Sequence, residues 1–314
     1  MTGGAGFIGS HLVRALLARG RRVRVVDDFS TGCSRNLPPG VEVLAGDVID
    51  LAVRAAEGAT VLYHLAAQVS VPRSVREPLE SHRATESSTV ALLEGAERAG
   101  VRRVVLASSS AVYGNRPGLP KREAHEPAPA SPYAAAKLCS EIHAKHWALH
   151  RRLETVCLRF FNVYGPRQDP SSPYAAAIPI FLARLLADEP VPVYGDGLQT
   201  RDFTYVEDVV RAVLAAADAP DVSGRVFNVA AGKGTTVLEL IETLARLLGR
   251  QARIERRPPR AGDVRHSRAD IGAAERDLNY VPWTDLPTGL SETIAWFRSR
   301  LPEPEKKESV VCSR

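Results

Sequence analysis

Short runs of continuous apolar residues alternate along this 314-residue chain with longer stretches of helical spacing. Residues 60–65 form a continuous apolar run fit for a strand buried on both faces, and residues 22–26, 41–44, 101–107, 155–161 and 227–229 also read as strands. The helical stretches follow residues 7–11 (Leu12, Val13, Leu16, Leu17, closed by Gly20) and cover residues 51–56, 86–99, 131–150, 176–187, 206–217 and 237–248. Strands that alternate with helices predict an α/β protein built on a doubly wound parallel sheet. Beyond residue 167 a Pro- and Ser-rich segment breaks this rhythm. A tight hairpin turn is expected at Gly195-Asp196-Gly197, and an edge strand at residues 254–255.

The chain opens on Gly3-Gly4-Ala5-Gly6-Phe7-Ile8-Gly9, directly before the first helical pattern. Glycines allow a tight turn and close backbone approach to a diphosphate. The free N–H groups and dipole of the helix start then favour the phosphates. Asp27, 24 residues after Gly3 and at the end of the next strand, stands where an acid would hold an adenosine ribose. This fold places its glycine loop after a central first strand, yet only Met1 and Thr2 precede the loop. The expectation is that this strand is missing from the start, with Met1 standing where an internal strand valine belongs and a GTG codon read as a start.

Composition narrows the partners. Apolar residues make up 45% and charged residues 25%, ordinary for a globular protein. The net charge of +5 is spread over many arginines, with no basic block interleaved with aromatics, so no nucleic acid is expected. The cysteines (Cys33, Cys139, Cys157, Cys312) have no metal-ligand spacing and imply no disulfide. No signal peptide or membrane span is read, and a cytoplasmic location is expected.

Candidate chemistry lies further on. Tyr133 and Lys137, four apart, share a helix face, and Ser108-Ser109-Ser110 ends an earlier strand. A phenol of ordinary pKa ~10 is a poor base at neutral pH. A nearby ammonium and a cationic nicotinamide are expected to lower it enough to take an alcohol proton.

These motifs resemble the extended short-chain dehydrogenase/reductase superfamily, and within it the NAD-dependent nucleotide-sugar 4-epimerases. The resemblance runs from Gly3 to about Trp296. It rests on Thr2-Gly3-Gly4-Ala5-Gly6-Phe7-Ile8-Gly9, Val26-Asp27-Asp28-Phe29-Ser30-Thr31-Gly32, His64-Leu65-Ala66-Ala67 and Ser108-Ser109-Ser110-Ala111-Val112-Tyr113-Gly114. Tyr133-x-x-x-Lys137, Arg159-Phe160-Phe161-Asn162-Val163-Tyr164-Gly165, Thr200-Arg201-Asp202-Phe203 and Arg260-Ala261-Gly262-Asp263 complete it. It implies a Rossmann-type NAD domain over residues 1–166, with 201–228 returning to it. It also implies a smaller UDP-sugar lobe over 167–200 and 229–301, followed by a disordered tail over 302–314. NAD is the implied cofactor, a UDP-sugar the substrate, and a homodimer the expected assembly, through the helices at 86–99 and 131–150.

By the same resemblance Tyr133 takes the sugar's 4-hydroxyl proton as the C4 hydride leaves, Ser109 (or Ser110) steadies that proton, and Lys137 holds the nicotinamide ribose. The resulting 4-keto sugar turns over and takes the hydride back on its other face. Gly3, Gly6, Phe7 and Ile8 are expected at the cofactor diphosphate and Asp27 at its ribose. Asp47 and Val48 would flank adenine, although Asp47 reads nearly as well as a helix N-cap. Leu65, Ala66 and Ala67 would line the middle of the cofactor. Asn162, Arg201 and Arg260 are expected at the UDP diphosphate, Ile178 and Pro179 at uracil, and Asp263 at the uridine ribose. Ser110 and Ala111 stand where dehydratases carry acids. Ser267, small, would admit an N-acetyl group, and Arg73 matches a position from which a uronate carboxylate could be held. UDP-glucose, UDP-N-acetylglucosamine and UDP-glucuronate all stay open.

Overall fold

A computed structural model describes residues 1–169, 177–259 and 264–300. The first strands are β1 (Arg24–Asp27), β2 (Glu42–Ala45), β3 (Val61–His64), β4 (Arg103–Ser109) and β5 (Glu154–Phe160). After them come β6 (Val163–Tyr164), β7 (Val191–Tyr194), β8 (Thr200–Arg201), β9 (Thr204–Tyr205), β10 (Arg225–Val229), β11 (Thr235–Thr236) and β12 (Ile254–Arg257). The helices begin with α1 (Phe7–Ala18), α2 (Val48–Ala56), α3 (Val71–Arg76), α4 (Pro78–His82), α5 (Ser88–Arg98) and α6 (Pro132–His150). They continue with α7 (Ala177–Leu186), α8 (Val206–Asp218), α9 (Val237–Leu248), α10 (Gly272–Leu278) and α11 (Leu286–Arg298).

Strands β3, β4, β5 and β10 pair in parallel, as do β1 and β2. Thr2 joins the two groups with parallel bridges to Val26 and His64. No strand of its own precedes the glycine loop among the described residues: Thr2 makes only these isolated bridges where the first strand would lie. Thr2 N donates to Tyr63 O at 2.9 Å and Val26 N to Met1 O at 2.8 Å. The Met1 amino group donates to Arg24 O at 2.6 Å, and burial pushes its pKa down to about 5.

Helices cover both faces, as buried strands without polar alternation require. Leu12, Val13 and Leu16 of α1 pack with Val209, Val210 and Val213 of α8 on one face. Val48 and Ala55 of α2, Leu92, Leu93 and Ala96 of α5 and Ala144 of α6 cover the other. A separate core gathers α7, α9 and α11 around Phe181, Leu182, Leu240, Leu244 and Ile294. The strand order reverses at Thr2, so the crevice for a ligand lies at the carboxyl ends of β1, Thr2, β3 and β4.

The hairpin expected at Gly195–Gly197 is not one. A turn forms there, with Leu198 N donating to Asp196 Oδ1 at 3.0 Å. However, β7 pairs in parallel with β12 and β8 pairs antiparallel with β11, so the flanking strands take distant partners. The short helices α3 and α4 were not expected from the apolar spacing. No helix among the described residues is long and apolar enough to cross a membrane.

Candidate active site

The glycine loop is held between two strand ends. Gly3 sits at φ +69°, and a Cβ there would meet Ala66 N at 2.7 Å. At Gly9 a Cβ would lie 2.0 Å from Gly3 O, so the loop closes onto the helix only without side chains. Helix α1 starts at Gly6 with no side-chain cap and no acid in its first turn. Such a helix start is suited to an anion. Phe7 and Ile8 are half-buried and pack toward the α7–α9–α11 core.

Asp27 ends β1. Its Oδ2 accepts from Ala5 N at 2.8 Å and its Oδ1 from Phe29 N at 2.9 Å. Burial raises its pKa against these bonds. The carboxylate thus braces the glycine loop as well as facing the crevice. Gly32 lies so close that a Cβ there would meet Asp27 Oδ1 at 2.9 Å. Asp47 is the N-cap of α2, accepting from Ile49 N at 2.8 Å, and pairs with Arg83 at 3.3 Å. Val48 turns its side chain into the core.

At the end of β3, Leu65 N donates to Thr2 O at 3.2 Å and Ala66 N to Thr2 Oγ1 at 3.3 Å. Ala66 and Ala67 are half-buried beside Gln68, whose amide N and O are both buried without partners. An orphaned amide next to an uncapped helix start and a glycine cradle fits a polar dinucleotide. Sequence reading passed over Gln68 because an isolated Gln carries no spacing signal. It also passed over the buried chain Thr2–His64–Thr89, with bonds of 2.7 and 3.1 Å.

Ser109 ends β4, and Tyr133 and Lys137 project from the first turns of α6, which Ser131 caps by accepting from Ala134 N at 3.2 Å. The Ser109 side chain faces the Tyr133 phenol and favours its ionised form. Lys137 Nζ donates to Ala107 O at 2.6 Å. Burial pushes the Lys137 amine down to about 8. The expected lowering counts a cationic nicotinamide beside Lys137. In the protein alone burial holds Tyr133 above its ordinary value, and Ser109 opposes it. The lowering therefore depends on charge brought by a ligand. Ser110, half-buried, opens a 3-10 turn (Ser110–Tyr113) in which Ala111 N donates to Ser109 Oγ at 3.1 Å.

A cavity of about 560 Å³ opens beyond β5 and is lined by Asn162, Ile178, Phe181, Tyr194, Gln199 and Arg201, among others. Arg201 Nη1 also donates to Thr200 O at 2.9 Å. Pro179 is buried on α7 but does not line the cavity. Ser267 is half-buried and does not line the cavity, its N–H on Thr200 O at 3.0 Å. Arg73 is drawn into an ion pair with Glu77 at 2.7 Å on the surface of α3. Tyr194, Gln199 and Arg257 also line the cavity, the last stacked over the Tyr194 ring. Tyr194 and Arg257 sit on short strands and Gln199 just before β8, and only the fold brings them together. Arg260 and Asp263, as well as the tail at 302–314, lie outside the described residues. No cluster of metal ligands occurs among the described residues.

Along almost its whole length the chain is similar to known proteins. The chain is 40% identical over 309 residues to the UDP-glucose 4-epimerase of Mycolicibacterium smegmatis, covering 96% of this chain and 98% of that one. It superposes at a TM-score of 0.92 and 38% identity on the UDP-N-acetylglucosamine 4-epimerase of Methanobrevibacter ruminantium, solved with UDP-N-acetylmuramic acid, covering 96% and 97%. It superposes at 0.89 and 35% on the Thermus thermophilus UDP-glucose 4-epimerase solved with NAD, covering 96% and 98%. Residues 1–230 match the NAD dependent epimerase/dehydratase family, and the chain belongs to that family.

Proposed function

We propose that the protein is a UDP-sugar 4-epimerase that keeps NAD bound. One observation carries this reading: Ser109 and Lys137 flank a buried Tyr133 at the mouth of the crevice, beside a cavity of nucleotide size. Gly3, Gly6, Phe7 and Ile8 would hold the dinucleotide diphosphate on the α1 start, with Asp27 at its ribose and Leu65 to Ala67 along its middle. When bound, NAD supplies a hydride acceptor that returns the hydride within the same turnover. Tyr133 takes the proton from the sugar's 4-hydroxyl, steadied by Ser109, and later gives it back. Lys137, its ammonium fixed on Ala107 O, favours the phenolate. Asn162 and Arg201 anchor the diphosphate, so the sugar can present either face of C4.

Dehydration needs an acid next to the reacting sugar, and Ser110 and Ala111 supply none. Arg73 is already paired with Glu77, which weakens its case as a uronate anchor. The small Ser267 leaves room for an N-acetyl group. UDP-glucose and UDP-N-acetylglucosamine are therefore favoured over UDP-glucuronate. We also assign residues 1–166 with 201–228 to NAD, and residues 167–200 with 229–301 to the UDP-sugar. Leu79, Ile142 and Leu149 are 83%, 60% and 64% exposed on α4 and α6, which supports a homodimer through those helices.

Replacing Tyr133 with Phe removes the proton acceptor. Turnover should fall by at least about 100-fold while NAD stays bound, measured by NMR of the UDP-sugar and absorbance of released cofactor. Full turnover in that variant would refute the assignment.

A further inference from the structure

The helix that carries Tyr133 and Lys137 is fastened to the strand ends by an ion pair that the reaction does not use. Glu141 lies one turn beyond Lys137 on the same face of α6. Arg159 Nε donates to Glu141 Oε1 at 2.9 Å and Arg159 Nη2 to Glu141 Oε2 at 2.7 Å, a two-pronged pair. Both side chains are nearly closed to solvent, at 4% and 5% exposure. Ser108 Oγ donates to the same Glu141 carboxylate. On the other side the Arg159 guanidinium lies 4.6 Å over the Tyr113 ring, whose hydroxyl donates to Asn228 Oδ1 at 2.7 Å. In the β4–β5 register Ser108 stands opposite Arg159, and Ser109 opposite Phe160. One carboxylate thus ties α6 to β4 at the residue before Ser109, and to β5 three residues before Asn162.

A buried ion pair adds little stability over apolar packing of the same volume. A fork of fixed geometry, in contrast, allows one rotation and one height of the helix that bears it. We propose that Arg159, Glu141 and Ser108 form a positioning device that sets α6 against β4, and with it the Ser109–Tyr133 contact and the seat of Lys137 on Ala107. The proposal rests on the reading of Tyr133 and Lys137 given above.

Removing one charge alone strands the other in the core. The main test is therefore the neutral pair Glu141→Met with Arg159→Met, and the second is Ser108→Ala, which leaves the ion pair whole. The neutral pair should melt within a few degrees of the wild type, keep its bound NAD and keep the KM for the UDP-sugar. Its kcat should fall by about 100-fold, the loss that follows when reacting groups are misplaced by an ångström. Ser108→Ala should lose kcat several-fold at unchanged KM.

The pH profile separates positioning from mere bracing. Lys137 is faced by Glu141 on its own helix, by Cys157 on β5 and by His64 on β3. The Glu141 charge opposes the burial that pulls Lys137 down. Without it the amine loses its proton sooner, so the alkaline limb of kcat should move to lower pH. Faster hydrogen exchange over residues 132–141 in the neutral pair, with melting unchanged, is a readout that does not depend on turnover. Wild-type kcat, an unmoved alkaline limb and unchanged exchange in a folded variant would overturn the proposal. So would wild-type kcat in Ser108→Ala, should the neutral pair not fold. Absence of turnover in the wild type would strike the epimerase reading instead, and the exchange comparison would still decide on the fork.

Discussion

Single residues in this protein show how burial redirects ordinary chemistry. His64 is enclosed between Thr2 and Thr89, and burial pushes it down to about 3. The unfolded chain binds a proton there below pH 6.5, while the folded chain does not. Stability from this group is therefore whole above pH 6.5 and drains away as pH falls toward 3, by about 1.4 kcal/mol per unit. Replacing His64 with Gln should remove that part of the slope, read by urea unfolding at pH 4.5 and pH 7. An equal slope in both proteins would contradict the assignment. At Gly3 the backbone conformation and the closeness of Ala66 N both exclude a side chain. Gly3→Ala should cost about 1–3 kcal/mol and lower the NAD content of purified protein; a variant with full NAD and stability would show that the loop has slack.

The same scale separates what the residues disclosed from what they could not. The glycine spacing and Asp27 pointed to the crevice because loop, helix start and acid are neighbours along the chain. Asp47 reads equally as a cap or a ligand residue, and here it caps α2. The phenol of Tyr133 was expected to be lowered. That reading counts a bound cation; the burial that opposes it in the protein alone is recorded by no motif.

At the scale of elements, strands buried on both faces are the most legible feature, since β3, β4 and β5 carry apolar runs at 61–63, 104–107 and 156–158. Helix α6 was legible from the Ser131-Pro132 start and its small residues along one face. The turn at Gly195–Gly197 misled because turn chemistry is local, whereas the choice of strand partner is not: β7 pairs with a strand some sixty residues on. The short helices α3 and α4 join through a five-residue π-helical segment (Arg83–Ser87) into α5, and bury only single small residues such as Ser74 and Ser81. With so little apolar surface they left no period to read. The fork between α6 and β5 was hidden for a related reason. Glu141 and Arg159 are 18 residues apart, and a charged pair far apart in sequence looks like surface until the fold closes over it.

For the whole molecule, two cores meet along the crevice, one beneath the sheet and one around α7, α9 and α11. His11 of α1 reaches the loop after β6, its ring 2.9 Å from Pro166 O, with burial pushing it down to about 4. The proposed dimer belongs to this scale too. Replacing Ile142 with Glu places a charge on the exposed apolar side of α6 and should convert a dimer to a monomer in light scattering, with the fold intact. An unchanged mass would place the interface elsewhere.

The central claim is a cofactor that is restored in every turnover, acting on the C4 of a UDP-sugar. The direct measurement is to incubate the purified protein, with no added nicotinamide, with UDP-glucose, UDP-N-acetylglucosamine and UDP-glucuronate in turn, and to follow each by NMR. The account predicts that UDP-glucose or UDP-N-acetylglucosamine converts to its 4-epimer and that no reduced cofactor accumulates. Release of a keto sugar, or no conversion of any of the three by protein that holds NAD, would contradict it.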